Sequence, residues 1–360
     1  MEIKLKPSAL KPDEIKNFKT SKRFLNIKQN SNFNEILIHF DSNHNTQFNT
    51  YDKIFYFINN DPLDQFYRKF IHETYPIFTS LQRIQNFNMQ SNQVNQLENL
   101  SRISNLYKSS IESQLNNSSF DNDNLLHWAN IYAIWSLTQL LYFPLDGRGE
   151  GIVAEELLDW INRVDVSPTS EEGLDITSSK VPYEHDNFWP YIYKSILRGF
   201  HKTATQPLHS LLSHPTKSIS SIVERLISLL YTFPRSTNFS FEHDYFNKHK
   251  IWRDDAKRTL SSIADLSQYA DEFAKEMFDN ITLALQLLCG KKEKILEMSD
   301  DWRECLAAYG LFVYPQLRRD DIPSTLDEIF SHLPLDTTLP DQVIEAALAN
   351  AEITKVIIIY

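Results

Sequence analysis

The chain has 360 residues, of which 42% are hydrophobic and 12% aromatic, and carries a formal net charge of −11. That length and composition describe a globular protein of one or two domains with a substantial core, and an acidic balance with no basic block excludes nonspecific nucleic-acid binding, which needs clustered Lys and Arg to displace counterions. Glycine is scarce, with 7 residues in all, well below the usual share of about 7%, which argues against sheet-rich nucleotide folds whose phosphate turns require it.

Two cysteines, Cys289 and Cys305, sit in apolar patterns without metal-ligand spacing, and a reduced compartment is the simple reading. The opening "MEIKLKPSALKP" has no apolar core of a secretory signal. The most apolar stretch, "IYAIWSLTQLLYFPL", is too short and interrupted to span a bilayer. The expectation is a soluble, intracellular protein.

Three β-like runs come first: "RFLNI" from Arg23, "EILIHF" from Glu35 and "KIFYFI" from Lys53. Ile36, Ile38 and Phe40 alternate along the second. The third is apolar at every position from Ile54 to Ile58. Residues 62–84 read as a helix. Residues 86–124 are rich in Asn, Ser and Gln and read as a polar loop region, with a helix near Leu97–Leu115 inside it.

From Leu125 onward the pattern is helix after helix. "LLHWANIYAIWSLTQLLYF" is apolar nearly all round and is expected to be buried on several sides; Asp123 or Asn124 is positioned to cap it. The helix from Ile152 to about Val164 carries a stripe of Val153, Leu157, Trp160, Ile161 and Val164. "TSEEGLDITSSKVPYEHD" reads as a loop. "NFWPYIYKSILRG" is a helix with Gly199 as its C-terminal cap. "HSLLSHP" and "SSIVERLISLLYTFP" are helices closed by proline, and "NITLALQLLCG" ends at a second glycine cap, Gly290. Roughly a dozen helices with short links imply antiparallel helix pairs, without a sequence repeat of fixed period.

No catalytic, cofactor or metal site emerges. "DGRGEG" places Gly147, Gly149 and Gly151 together, but no Lys-Ser or Lys-Thr follows and a helix precedes it. A phosphate cradle needs both a strand before it and a cationic end, so this is a joint between helices. Glu155, Glu156 and Asp159 fall in the first turns of the next helix, where carboxylates complement its dipole. Neighbours on a helix diverge by about 100°, so Glu155 and Glu156 are not an acid/base pair. His201, His209 and His214 are spaced by eight and five, and His243 and His249 by six; none aligns on a helix face as metal ligands would. They read as solvated or capping side chains. Trp189, Trp252 and Trp302 read as core.

"LLYFPLDGRGEGIVAEELLDWINR", then "FWPYIYKSILRG" with "LHSLLSHP", then "NITLALQLLCGKKEKILEMSDDWRECLAAYGLFVYP" occur in that order. From about Asn124 to Tyr360 this resembles the nucleoporin eighty-five family, scaffold proteins of the Y-shaped outer-ring complex of the nuclear pore and members of the ancestral coatomer element class. The resemblance implies a mainly α fold: a folded-back stack of antiparallel helix pairs, an α-solenoid with trunk and crown, preceded by a small N-terminal β-hairpin or three-strand insertion blade. It implies a β segment over 1–60 and a helical stack over 61–360. It implies no catalysis and no cofactor or metal, but a structural role at the nuclear envelope supporting transport of mRNA and protein.

The implied partners are a WD-repeat β-propeller nucleoporin of the Sec-thirteen-like type, completed by the inserted strands, and other Y-complex scaffold nucleoporins. Direct nucleic-acid contact and a transmembrane segment are not implied. Strand addition exchanges main-chain hydrogen bonds and hides an exposed sheet edge. Ile36, Ile38, Phe40, Phe55 and Phe57 are the residues expected in the blade, facing its propeller neighbours; the competing expectation has them cover this chain's own first helices. The family continues into a C-terminal tail module, whereas this sequence stops at "KVIIIY", and that tail is expected to lie beyond it. A vesicle- or endosomal-coat scaffold of the same class is the alternative reading, and a helical hydrolase with a dispersed site is the alternative from a different class.

Overall fold

The computed structural model describes residues 5–6, 24–29, 35–41, 55–59, 65–87, 93–116, 121–143, 151–267 and 272–351. The chain divides into two compact units, Met1–Phe78 and Thr79–Ile359. The described residues are mainly helical.

In the first unit, β1 (Leu5–Lys6), β2 (Phe24–Gln29), β3 (Glu35–Asp41) and β4 (Phe55–Asn59) form one antiparallel sheet in the order β1-β4-β3-β2. β2, β3 and β4 are consecutive neighbours, a meander. Helix α1 (Gln65–Phe87) follows and continues past the division at Phe78.

The second unit contains α2 (Gln93–Leu115), α3 (Asn122–Tyr142), α4 (Ala154–Val164), α5 (Ser170–Ser178), α6 (Phe188–Leu197), α7 (His201–Leu208), α8 (Lys217–Tyr231), α9 (Glu242–Ser267), α10 (Glu272–Leu288), α11 (Lys292–Met298), α12 (Trp302–Ala308), α13 (Ile322–Phe330) and α14 (Pro340–Ala349). Helices adjacent in sequence pack in pairs, such as α2 on α3, α7 on α8 and α9 on α10. Late helices also return to early ones: α12 packs on α4, α14 on α3 and α10 on α6. The all-round apolar character of α3 has its reason here. It is covered by α2, α4 and α14, so several of its faces lose water. The stripe on α4 is buried at Val153, Leu157, Trp160 and Ile161.

Three local readings change. The segment read as a loop after Pro168 contains α5, opened by a capping box in which Thr169 accepts from the Glu172 N–H and Glu172 accepts from the Thr169 N–H. Thr-x-x-Glu was the signal for it. The cap of α3 is Asp121, which accepts from the Asn124 N–H at 2.9 Å, rather than Asp123 or Asn124. "HSLLSHP" is a 3₁₀ segment, His209–Ser213, at the end of α7. Of the three clustered glycines, Gly147 and Gly149 lie outside the described residues.

Two glycines close helices in the left-handed region. Gly199 has φ +68° and Gly290 φ +71°. After α6 the Phe200 N–H bonds the Ser195 carbonyl at 2.7 Å and the Gly199 N–H bonds Ile196 at 3.0 Å. After α10 the Lys291 and Gly290 N–H groups bond Gln286 and Leu287 in the same way. Both are Schellman closures. A Cβ at position 290 would fall on the Phe312 carbonyl oxygen and against the Arg253 guanidinium, so this closure also permits close approach of backbone to backbone. Gly290→Ala should lower unfolding free energy by about 1–3 kcal/mol, read from urea denaturation of the full chain.

Candidate functional site

The first unit holds the strands expected to meet a partner. Ile36, Ile38 and Phe40 stand at alternate positions of β3, and Phe55 and Phe57 at alternate positions of β4. The register pairs Ile36 with Ile58 and Ile38 with Tyr56, whereas Phe55 pairs with His39 and Phe57 with Leu37. The five named positions therefore belong to both parities of the ladder rather than to one row.

The second unit is organised around buried charge. Arg198 caps α6 and is 1% exposed; Glu304, on α12, is fully buried. The Arg198 Nε donates to Glu304 Oε1 at 2.6 Å. Its Nη1 donates to the Asp165 carbonyl at 2.9 Å and its Nη2 to the Asp165 carboxylate at 2.5 Å. Asp165 is the C-cap of α4. Lys194 Nζ donates to the second Glu304 oxygen at 2.8 Å and also to Asp300. The Asp300 N–H supplies another donor to Glu304 at 2.9 Å. Burial works against charge on Arg198, but Glu304 and Asp165 outweigh it and its pKa is raised. Glu304→Ala would leave Arg198 and Lys194 short of their shared acceptor. Loss of one member of a buried pair costs about 3–5 kcal/mol, and calorimetric and urea unfolding of the variant should show it.

A second ionic contact ties α12 to α14. Arg303 holds Asp301 by two donors, at 2.8 and 2.6 Å, and reaches Glu345 at 3.3 Å. Burial pushes the Glu345 carboxyl up to about 7, with Asp301 and Asp341 adding to it and Arg303 opposing. The guanidinium is already engaged by Asp301, so burial prevails. A carboxyl raised on folding contributes fully below its unfolded pKa, and the contribution is lost as pH climbs through the folded value. Glu345→Gln should therefore gain stability relative to the parent between pH 5 and pH 8, by about 1–3 kcal/mol. Melting curves across that range check it, and a flat difference would contradict it.

Polar reach-backs accompany these pairs. Glu155 accepts from the Ser236 N–H at 2.7 Å, and Glu156 pairs with Arg319 at 2.5 Å. Arg319 also donates to the Leu140 carbonyl. Asn130 donates to Asp341, and Tyr142 to the Leu348 carbonyl. The first-turn carboxylates of α4 thus have tertiary partners beyond the dipole role expected of them.

The histidine reading holds for His209 and His243, which are exposed, and changes for the other three. His201, His214 and His249 are buried. His201 lies against Phe233, with ring centroids 4.3 Å apart, and burial, then Arg235, pushes it down to about 3. His249 donates to the Leu311 carbonyl at 3.0 Å, and burial pushes it down to about 4. With Tyr245, Phe233, Trp252 and Phe312 they form an aromatic cluster. Trp189, Trp252 and Trp302 are buried as expected of core residues. Both cysteines are free and buried; burial pushes the Cys305 thiol up to about 12. Among the described residues no group of three or more His, Cys, Asp and Glu is gathered as metal ligands would be. No helix among them is long and apolar enough to cross a membrane.

The family model of the Nup85 Nucleoporin matches residues 56–359. The chain belongs to the Nup85 nucleoporin family. "Nucleoporin nup85" of Schizosaccharomyces pombe is 26% identical over 226 residues, covering 59% of this chain and 32% of that protein. "Nucleoporin NUP85" of Saccharomyces cerevisiae is 28% identical over 194 residues, 49% of this chain and 24% of that protein. "Nuclear pore complex protein Nup85" of Danio rerio is 23% identical over 270 residues, 71% of this chain and 39% of that protein. The chain spans about a third of the length of these curated relatives. Membership in the Nup85 family places it in the nuclear pore complex at the nuclear envelope, as a member of a family of structural scaffold proteins.

Sequence reasoning missed the Arg198–Glu304 centre. Arg198 precedes a helix-closing glycine and reads as a dipole complement; Glu304 sits three residues after its Asp301 cap and reads as a first-turn carboxylate. One late hint exists in "SDDWREC", where Glu304 stands between Arg303 and Cys305 in a helix that opens on Trp302 and continues apolar.

Proposed function

We propose that this chain is a scaffold element of the Y-shaped outer-ring complex, in which the N-terminal strands complete an open WD-repeat β-propeller of the Sec-thirteen-like type and the helices hold neighbouring scaffold nucleoporins in fixed positions. Passage of mRNA and protein depends on that lattice indirectly. The observation that carries the propeller part is the sheet itself: four antiparallel strands in the order β1-β4-β3-β2, the strand number of a propeller blade. The register adds support. A blade set between two neighbours is covered on both faces, and the named residues Ile36, Ile38 and Phe40 on one parity and Phe55 and Phe57 on the other supply apolar positions to both. Main-chain pairing along an edge would supply affinity, and alternate side chains specificity. A role in β segment 1–60 and a helical role in 61–360 follow from the same reading.

Co-expression with a candidate propeller tests it. The parent should co-purify as a stable complex. Ile38→Lys and Phe57→Lys, one on each parity, should each weaken the complex at least tenfold while the far-ultraviolet helical signal is unchanged. Undiminished binding by both variants would overturn the blade reading.

A further inference from the structure

We propose that a cleft between α2, α3 and α4 is an anchor site for a carboxylate side chain, Glu or Asp, presented by a protein partner. The inference stands on this cleft alone and not on the propeller reading. The cleft measures about 150 Å³ and is bordered by Lys108 of α2, Tyr132 and Ser136 of α3, and Trp160 and Arg163 of α4. Ligand sites for whole small molecules run to about 300–1,000 Å³, so this space suits one side chain rather than a metabolite. Small pockets filled by one anchoring side chain are how protein interfaces concentrate their affinity.

Three polar groups in it lack a hydrogen-bond or ion-pair partner among the described residues. The Ser136 hydroxyl is buried and has no hydrogen-bond partner, which is costly for an enclosed polar atom. Lys108 stands 5.3 Å from the centroid of the Tyr132 ring and has no ion-pair partner within 4 Å among the described residues. Arg163, at the exposed end of α4, likewise has none. Two carboxylates also border the cleft. Glu156 is engaged by Arg319. Asp159 is the one unpaired acid against the two cations, leaving a net positive site in a chain whose formal charge is −11.

That balance selects the ligand. A single carboxylate would meet the two cations, with its methylenes against the Trp160 and Tyr132 rings, and a rotation of the Ser136 side chain would bring it a hydroxyl donor. A doubly charged phosphate would gain more from the same cations but also lose more to Asp159, and its desolvation cost, which rises with the square of the charge, outweighs the difference in a site holding only two cations. Charge-assisted hydrogen bonds inside a partly dry cleft are the stronger kind.

Titration of the full, ¹⁵N-labelled chain tests this. The signal is the Trp160 indole N–H, assigned with Trp160→Phe. The probes are acetylated, amidated pentapeptides with central Glu, Gln or phosphoserine between leucine and alanine, and inorganic phosphate alone. The Glu peptide should shift the signal, and the Gln peptide should bind roughly tenfold more weakly or worse. Arg163→Glu and Lys108→Glu should each weaken the Glu peptide by at least about tenfold, and Ser136→Ala by a few-fold, with the remaining spectrum unchanged. Arg163→Gln, a shorter polar side chain that removes the charge without reversing it, should show an intermediate loss and serves as the variant if the reversals disturb folding. Equal binding of Glu and Gln peptides, no shift with any peptide, tighter binding of phosphoserine, or an equal response to phosphate alone would each overturn the proposal.

Discussion

Arg198 buried against Glu304 is the constraint around which the helical unit is arranged. Each charge would be strongly disfavoured if buried alone. Together, with Asp165, Lys194 and the Asp300 backbone N–H, they satisfy one another. The arrangement is possible only when the end of α4, the end of α6 and the start of α12 meet. A buried ion pair is weak evidence of net stability, since an apolar replacement of like volume is often as good. Its effect here is selective: other packings of the same apolar helices would strand a buried charge. We regard this as the reason a unit made of many similar amphipathic helices adopts one fold-back.

Around that centre, backbone groups carry much of the remaining specificity. The two Schellman closures at Gly199 and Gly290 redirect the chain where α6 and α10 end. Gly290 lets the chain approach the Phe312 carbonyl. The neighbouring Leu311 carbonyl accepts from His249. Phe312 lies in a π-helical turn, Tyr309–Val313, where carbonyls leave the regular α-helical ladder. Neutral His201 and His249 therefore act as aromatic core residues; His249 also donates to this irregular turn. This is a rigid arrangement, with aromatic and ionic contacts spread over helices far apart in sequence.

Rigidity of this kind suits membership in a family of structural scaffold proteins. Buried carboxylates, histidines and thiols are perturbed by enclosure in the core rather than by convergence on an open cleft. A small cleft with two cations in one unit and a four-stranded sheet in the other are the kinds of feature that meet other polypeptides.

Much of this was legible from residue order. Helical periodicity located α4, α6, α8 and α10, because a 3.6-residue apolar stripe is a local property of the chain. Glycine after the last stripe position located both left-handed closures, because only the absent Cβ makes that backbone comfortable. Alternation of Ile36, Ile38 and Phe40 located β3. Motif order carried the family. Helix α5 was missed because its capping box precedes a weakly apolar segment, although the Thr-x-x-Glu signal was present. Tertiary structure alone decided which charges are buried, which histidines lose their protons to the core, and that α12 and α14 lie on α4 and α3. The physical reason is separation. Arg198 and Glu304 are 106 positions apart, and neither neighbour pattern distinguishes a buried ion from a solvated cap. Desolvation depends on what the remainder of the chain places on top of a residue, and that is written in no local stretch.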